Sequence, residues 1–290
     1  MKVGLIDVDS KIPNLALMKL SAYHKNKGDI VEFYNPMFRD YNIIYMSKIF
    51  DFTPDYQYPI NADSVIKGGI DYDIKSKLTD EIEHITPDYN LYPNTEYAIG
   101  FTTRGCIRNC SFCKVPKKEG EIRPVADIYE FWNGQKKLML LDNNLTAERD
   151  HFKLVLNQLI KERVKVDFNQ GLDIRLILPE QAKLLSKVKL YKQIHFAFDD
   201  VKYEKAVRRG IKILNDNGVK GYKLMFYILI GFNSTKEEDL YRAELLRSLG
   251  VDPFVMPYNK SDIYQRNFAR WVNMKAVFKT VSWENYKKTS

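Results

Sequence analysis

All three cysteines of the 290-residue chain fall in one stretch, TTRGCIRNCSFCKVPKKEG, at Cys106, Cys110 and Cys113. Thiols this close together can be disulfide partners, nucleophiles or metal ligands. Disulfides are a poor account: the number is odd, the loops would be tiny, and the expected compartment is reducing. A nucleophile needs one activated thiol, not three. A structural zinc site normally closes with four ligands, and a fourth would have to be a distant His24, His84, His151 or His195. An iron–sulfur cluster uses the whole pattern. A cubane held by three thiolates leaves one iron without a protein ligand, an open position on a redox centre.

The elements that must carry this loop follow a regular rhythm from Tyr97 onward. Strand-like runs read YAIGFTT, KLMLLD, KVDFNQ, QIHFAFD, KLMFYILIG and DPFVMPY. Helical patterns lie between them near Ala126–Trp132, Arg149–Arg163, Pro179–Ser186, Tyr203–Asn217 and Lys236–Leu249. Gly218 and Gly250 stand just past helix ends, where a left-handed residue is wanted. Six β/α units in series predict six parallel strands forming part of a barrel, with functional residues at the strands' C-terminal ends. The polar endings Asp142-Asn143-Asn144, Asn169-Gln170 and Asp199-Asp200 agree.

CxxxCxxC with Phe112 before the last cysteine, just after the first strand of a β/α series, resembles the radical S-adenosylmethionine (SAM) superfamily. The resemblance covers about residues 96–260 and implies a partial (β/α)6 barrel of the TIM type. It implies that Cys106, Cys110 and Cys113 ligate a [4Fe-4S] cluster whose fourth iron is chelated by SAM. Reductive cleavage to a 5′-deoxyadenosyl radical and hydrogen abstraction from an unidentified substrate would follow. An external electron donor such as a flavodoxin or ferredoxin is implied as a partner.

Other positions carry over one at a time. Phe112 matches a residue near adenine, against a plain core aromatic. Asp142, Asn143 and Asn144 stand where the family usually has a Gly-Glu motif at the SAM amino group, and carboxylate and amide oxygens can still accept from an ammonium. Asp199 is placed for a ribose contact, the alternative being that Asp199-Asp200 caps the following helix. Gly231 lets backbone approach on the adenine side, while Ser234 or Thr235 could cap the next helix with Glu237 or Glu238. Asp173 and Arg175 either pair with each other or grip SAM or substrate.

Residues 1–95 read as a small Rossmann-like α/β unit, with strands KVGLIDV, DIVEFY and YNIIYMSKIF, a helix over Pro13–Lys27, and an extended linker ITPDYNLYPN. The unit is similar to a reduced cobalamin-binding-type domain, but DVDSKIPN lacks the family's cobalamin-ligating histidine. A brace for the barrel is expected rather than a working cobalamin site, with cobalamin-dependent methylation as the alternative. Residues 261–290 are expected to close the barrel as helices through an apolar stripe at Phe268, Trp271 and Val272. The interleaved Arg266, Arg270, Lys275 and Lys279 keep nucleic acid as a possible partner.

The remaining features narrow the class. A net charge of +8, from 45 basic and 37 acidic residues, is spread along the chain as in a lysine-rich proteome. No apolar run reaches the roughly 18 residues of a membrane span, and the start MKVGLIDVDS reads as a strand, so a cytoplasmic protein without a membrane partner is expected. No cysteine is left for an auxiliary cluster. The rival from another class is a non-catalytic nucleic-acid-binding protein with a metal site.

Overall fold

The computed structural model describes residues 1–38 and 40–287. The chain opens with strand β1 (Lys2–Asp7), helix α1 (Leu15–Asn26) and strands β2 (Ile30–Phe33), β3 (Tyr41–Ser47) and β4 (Ala62–Gly68). The four strands form one parallel sheet in the order β2-β1-β3-β4. Asn14 caps α1 by accepting from the Leu17 amide at 3.2 Å. β4 gives little sequence signal because its middle residues are exposed, so no apolar alternation marks it. A short helix α2 (Asp80–Glu83) follows. The segment expected to be an extended linker is instead a packed strap, with Leu91 buried. Its Tyr89 hydroxyl donates to the Phe131 carbonyl at 2.6 Å and its Tyr92 hydroxyl to Asp7 at 2.6 Å.

The second part is a series of parallel strands alternating with helices. It comprises β5 (Tyr97–Gly100), a small hairpin of β6 (Thr103–Arg104), α3 (Val115–Lys118) and β7 (Arg123–Pro124), then β8 (Lys137–Leu140), α4 (Arg149–Glu162), β9 (Lys165–Phe168), α5 (Pro179–Leu185), β10 (Ile194–Ala197), α6 (Glu204–Asp216), β11 (Leu224–Ile230), α7 (Lys236–Ser248) and β12 (Asp252–Pro257). β5-β8-β9 and β10-β11-β12 are two parallel three-stranded sheets. A bridge between Val166 and Leu190, and the Leu172 amide donating to the His195 carbonyl at 2.8 Å, join them into one curved wall. This is the expected α/β architecture, a partial (β/α)6 barrel preceded by a Rossmann-like sheet. The helix expected near Ala126–Trp132 is only a 3-10 turn over Ile128–Glu130, ending in a turn in which Gly134 takes a left-handed φ of 82°.

Strand alternation sorts every barrel residue onto one of two faces. One face carries Ala98, Leu138, Leu140, Val166, Phe168, Ile194, Phe196, Phe226, Ile228 and Val255, all buried in the main core beneath the helices. α4 supplies Phe152, Val155, Leu156 and Leu159 from one side of its cylinder. The opposite face differs along the wall. On β5 and β8, Ile99 is buried, and Met139 packs with it, among Val3, Leu5, Leu17 and Met18 of β1 and α1. On β11 and β12, Tyr227, Leu229, Phe254 and Met256 remain half-buried or exposed. The N-terminal unit thus covers one end of the wall and leaves the other open.

The last helices, α8 (Ile263–Asn273), α9 (Lys275–Thr280) and α10 (Trp283–Lys287), pack beside β12. Phe268, Trp271, Val272 and Phe278 are buried in the main core. Asn273 acts as a short substitute for a further strand, donating to the Val255 carbonyl at 3.0 Å and accepting from its amide at 2.8 Å. Phe268, Trp271 and Phe278 face inward, Tyr264 is half-buried, and Arg266, Arg270, Lys275 and Lys279 are exposed.

Candidate cluster and cofactor site

The cysteine loop leaves and returns through one point, because β6 pairs antiparallel with β7. Gly105 makes the turn into it with φ 85°, and a Cβ there would stand 2.2 Å from the Glu121 carbonyl oxygen. Backbone and side-chain amides then point at sulfur. The Arg108 amide lies 3.3 Å from Cys106 Sγ, the Val115 amide 3.4 Å from Cys113 Sγ, and Asn144 Nδ2 3.4 Å from Cys106 Sγ. Such donors favour the thiolate. Burial opposes them: it pushes the Cys110 and Cys113 thiols up, and the neighbouring cysteines add to this by mutual repulsion, while Arg175 pulls Cys110 down. Three half-buried sulfurs that repel one another as thiolates, two of them receiving N–H donors, fit a positively charged metal group. Among the described residues no set of His, Cys, Asp or Glu converges on a single ion. In a cubane the thiolates bind separate irons and need not converge.

A cavity of about 360 Å³ opens beside the loop at the C-terminal ends of β10 and β11. Cys110 and Phe112 line one part of it, and Arg175, Asp199, Tyr203 and Phe232 another. Phe112 is 40% exposed and is no core aromatic. It meets Phe232 edge-on at 5.6 Å, and Phe232 meets Tyr258 at 5.0 Å, a row of rings at the cavity.

The three residues after β8 divide into separate tasks. Asp142 turns toward the cysteine loop: its Oδ1 accepts from the hydroxyls of Thr102 and Thr103 at 2.7 Å each and from their amides at 3.1 and 2.5 Å. Its carboxylate therefore anchors the loop, and it does not line the cavity. Asn144 donates to Cys106 and accepts from Thr146 at 3.0 Å. Asn143 Oδ1 is buried without a hydrogen-bond partner and, like Asp142, does not line the cavity.

Asp173 and Arg175 do pair, through contacts at 2.7 and 2.8 Å, and Asp173 also accepts from Arg108 Nε at 3.1 Å. Burial pushes the Asp173 carboxyl up, but the two guanidinium groups outweigh it and hold it below the ordinary range. Arg175 is thus oriented, with its guanidinium 4.5 Å above the Tyr203 ring and part of the cavity lining. Asp199 and Asp200 both line the cavity. Asp200 also caps the turn after β10, accepting from the Lys202 amide at 2.9 Å, and Asp199 takes the Leu229 amide at 2.8 Å. Burial holds the Asp199 carboxyl above its usual range.

Gly231 has φ 76°, but the close neighbour is Gln265 of α8: an added Cβ would stand 2.1 Å from its Nε2. The glycine serves helix packing at that point. Thr235 and Glu238 form the capping box of α7. Arg242, fully buried, ties the strand ends together by donating to the carbonyls of Phe198 and Leu229 at 3.0 and 3.1 Å and to Asp239 at 2.7 Å. Arg108, Phe232 and Arg242 carry no local sequence signal for these roles, since Asp173, Phe112 and the Phe198 and Leu229 carbonyls come from other elements.

No protein-family model matches the sequence, and no curated protein matches it. Among solved structures, the chain is similar to the radical S-adenosylmethionine methyltransferase TsrM from Kitasatospora setae, a structure with cobalamin and a [4Fe-4S] cluster bound. The TM-score is 0.66 at 12% identity, covering 88% of this chain and 74% of that one. At that identity the likeness establishes the fold: this chain shares the architecture of a radical SAM methyltransferase.

Proposed function

We propose that the chain is a radical SAM enzyme, with Cys106, Cys110 and Cys113 holding a [4Fe-4S] cluster and SAM occupying the adjoining cavity. The observation that carries this reading is the cavity of about 360 Å³ shared by Cys110, Arg175 and Asp199 at the strand ends of the barrel. When bound, the cluster supplies the electron that splits SAM into methionine and a 5′-deoxyadenosyl radical, which takes a hydrogen atom from an unidentified substrate. The chain's own residues supply placement. Asp142 fixes the cysteine loop, and Arg175, oriented by Asp173, offers a fixed positive charge to a carboxylate. Asp199 accepts from ribose hydroxyls. Phe112 and Phe232 provide aromatic faces for adenine. The reading places the protein in the cytoplasm with a flavodoxin or ferredoxin as electron donor; no helix among the described residues is long and apolar enough to cross a membrane.

The test is anaerobic purification, reconstitution with iron and sulfide, and chromatography for 5′-deoxyadenosine after adding SAM and dithionite. The wild type is expected to form it, and a Cys106→Ala, Cys110→Ala, Cys113→Ala variant is not. Uptake of zinc, or of no cluster, would overturn the reading and bring forward a non-catalytic nucleic-acid-binding protein.

A second reading, cobalamin-dependent methylation, is favoured by the N-terminal parallel sheet and by the cobalamin in the similar structure. Against it, Asp9 draws residues 49–53 across the C-terminal edge of that sheet, accepting from the amides of Ile49 and Phe50 at 2.8 and 2.9 Å and from the Thr53 hydroxyl at 2.5 Å. Corrin absorbance in protein purified with added cobalamin would support it.

A further inference from the structure

Below the cavity, the open face of the barrel wall carries a row of side chains, one from each of four consecutive strands. Asp167 of β9 lies 3.9 Å from His195 of β10. The His195 ring is 5.2 Å from Tyr227 of β11, and Tyr227 is 5.9 Å from Phe254 of β12. By strand alternation these residues share a face with Ala197 and Leu229, which line the cavity. The four residues do not line the cavity themselves; the row lies on the same face, two residues further from the strands' C-terminal ends.

Its polar end is a carboxylate and an imidazole, with the Tyr97 and Tyr227 hydroxyls near enough for the Asp167 charge to add to burial in pushing both phenols up. Asp167 is 8% exposed, and its Oδ1 is buried without a hydrogen-bond partner. His195, 6% exposed, has Nδ1 3.2 Å from the Phe168 carbonyl oxygen. A carbonyl only accepts, so Nδ1 carries the hydrogen, and the other nitrogen of the neutral ring is an acceptor. Burial lowers the His195 pKa and keeps the ring neutral; it also raises that of the Asp167 carboxyl. The nearby Lys192 acts on both only through space and is itself exposed, 5.5 Å from the Tyr191 ring. The apolar end is exposed: Phe254 and Met256 are each 38% exposed. A buried carboxylate oxygen without a hydrogen-bond partner, beside exposed aromatic faces, is complementary to a cationic donor on an apolar body.

We propose that this layer of the barrel binds a primary amine on an apolar frame, with the ammonium group at Asp167 and His195 and the apolar body against Tyr227 and Phe254. This names the substrate class of the enzyme proposed above and rests on that reading for its chemistry, though not for its binding.

The test is calorimetric titration of the full-length, reconstituted protein with phenethylamine at neutral pH, with 2-phenylethanol and phenylacetate as neutral and anionic molecules on the same ring. Phenethylamine is expected to bind at least tenfold more tightly than either. Asp167→Asn is expected to remove that preference while leaving 2-phenylethanol unchanged, and Phe254→Ala to weaken both. Equal affinity for the amine and the alcohol, no binding of the amine, or unchanged binding by Asp167→Asn would overturn the proposal. Should Asp167→Asn fail to fold, His195→Leu carries the same comparison. The triple cysteine variant is expected to keep amine binding whatever happens to 5′-deoxyadenosine formation, so the two readings fail separately.

Discussion

Asp142 and Asp167 are buried carboxylates on the neighbouring strand runs of β8 and β9, and their surroundings are opposite. Asp142, 4% exposed, takes two hydroxyls and two amides from Thr102 and Thr103. Asp167, 8% exposed, keeps one oxygen with no hydrogen-bond partner. Burial holds both carboxyls above their ordinary range. A buried acceptor that is fully used holds the fold; one left unused costs stability and marks a place for a group the chain does not supply. One residue therefore belongs to the scaffold of the cysteine loop and the other to a binding surface.

The largest expected effect tests the first half of that contrast. Asp142→Ala orphans the two amides and two hydroxyls and is expected to lower stability by about 3 kcal/mol or more, since each lost buried partner costs roughly 1–3 kcal/mol. Urea unfolding measures it, and iron bound per chain after reconstitution should drop as well. A loss below about 1 kcal/mol, the low end for a single buried partner, would break the comparison.

Next is Gly231→Ala, expected to cost about 1–3 kcal/mol because a side chain is forced to φ 76° and into Gln265. Adding Gln265→Ala should recover the steric part of the loss. Failure to recover any would mean that the strand end is tight for another reason.

Asp167→Asn should act in the opposite direction from Asp142→Ala, raising stability at neutral pH by about 1 kcal/mol through removal of a buried, unpaired charge. The pH dependence sharpens this. A carboxyl raised by burial binds its proton more tightly in the folded state. Its favourable contribution is complete below the ordinary carboxylate range and is lost as pH rises through the raised value. Wild type and Asp167→Asn should therefore match in acid and diverge upward in pH, with the variant the more stable. Melting temperatures across that range check it; parallel curves would show that Asp167 is not desolvated as described.

The smallest effect is expected at Lys114, whose exposed ion pair with Asp51 at 3.1 Å joins the cysteine loop to the N-terminal unit. Lys114→Ala should change stability by less than about 0.5 kcal/mol, because such pairs are screened by water and salt. A larger loss in urea would show that the two parts depend on this contact.

Local patterns account for what could be read in advance. Apolar periodicity located α4, α6 and α7 within a residue or two, as side chains three and four apart on a helix share one face. The capping residue Thr235, named in advance, acts on the Glu238 amide three residues on, whereas Asn14, read as part of the first helix, caps it instead. β4 escaped because its side chains are exposed and leave no alternation, and the 126–132 pattern was too short to hold a helix against its neighbouring turn. The cavity residues named in advance separate in the same way. Arg175 and Asp199 line it, while Asp142 and Gly231 turned out to serve packing, because their decisive neighbours are Thr102, Thr103 and Gln265.

The sequence by itself determined the rhythm of strands and helices, the clustering of every thiol in one loop, and the polar strand ends. These depend on residues close along the chain, where geometry is set by the backbone's own repeat. Only the tertiary structure decided which carboxylate is satisfied, which face of the barrel wall the N-terminal unit covers, and which face stays open. Thr102 reaches Asp142 from forty residues away, and α1 covers Ile99 from another sheet altogether. Contacts of that range arise from the path of the folded chain, and the identity of a residue does not reveal who will meet it there.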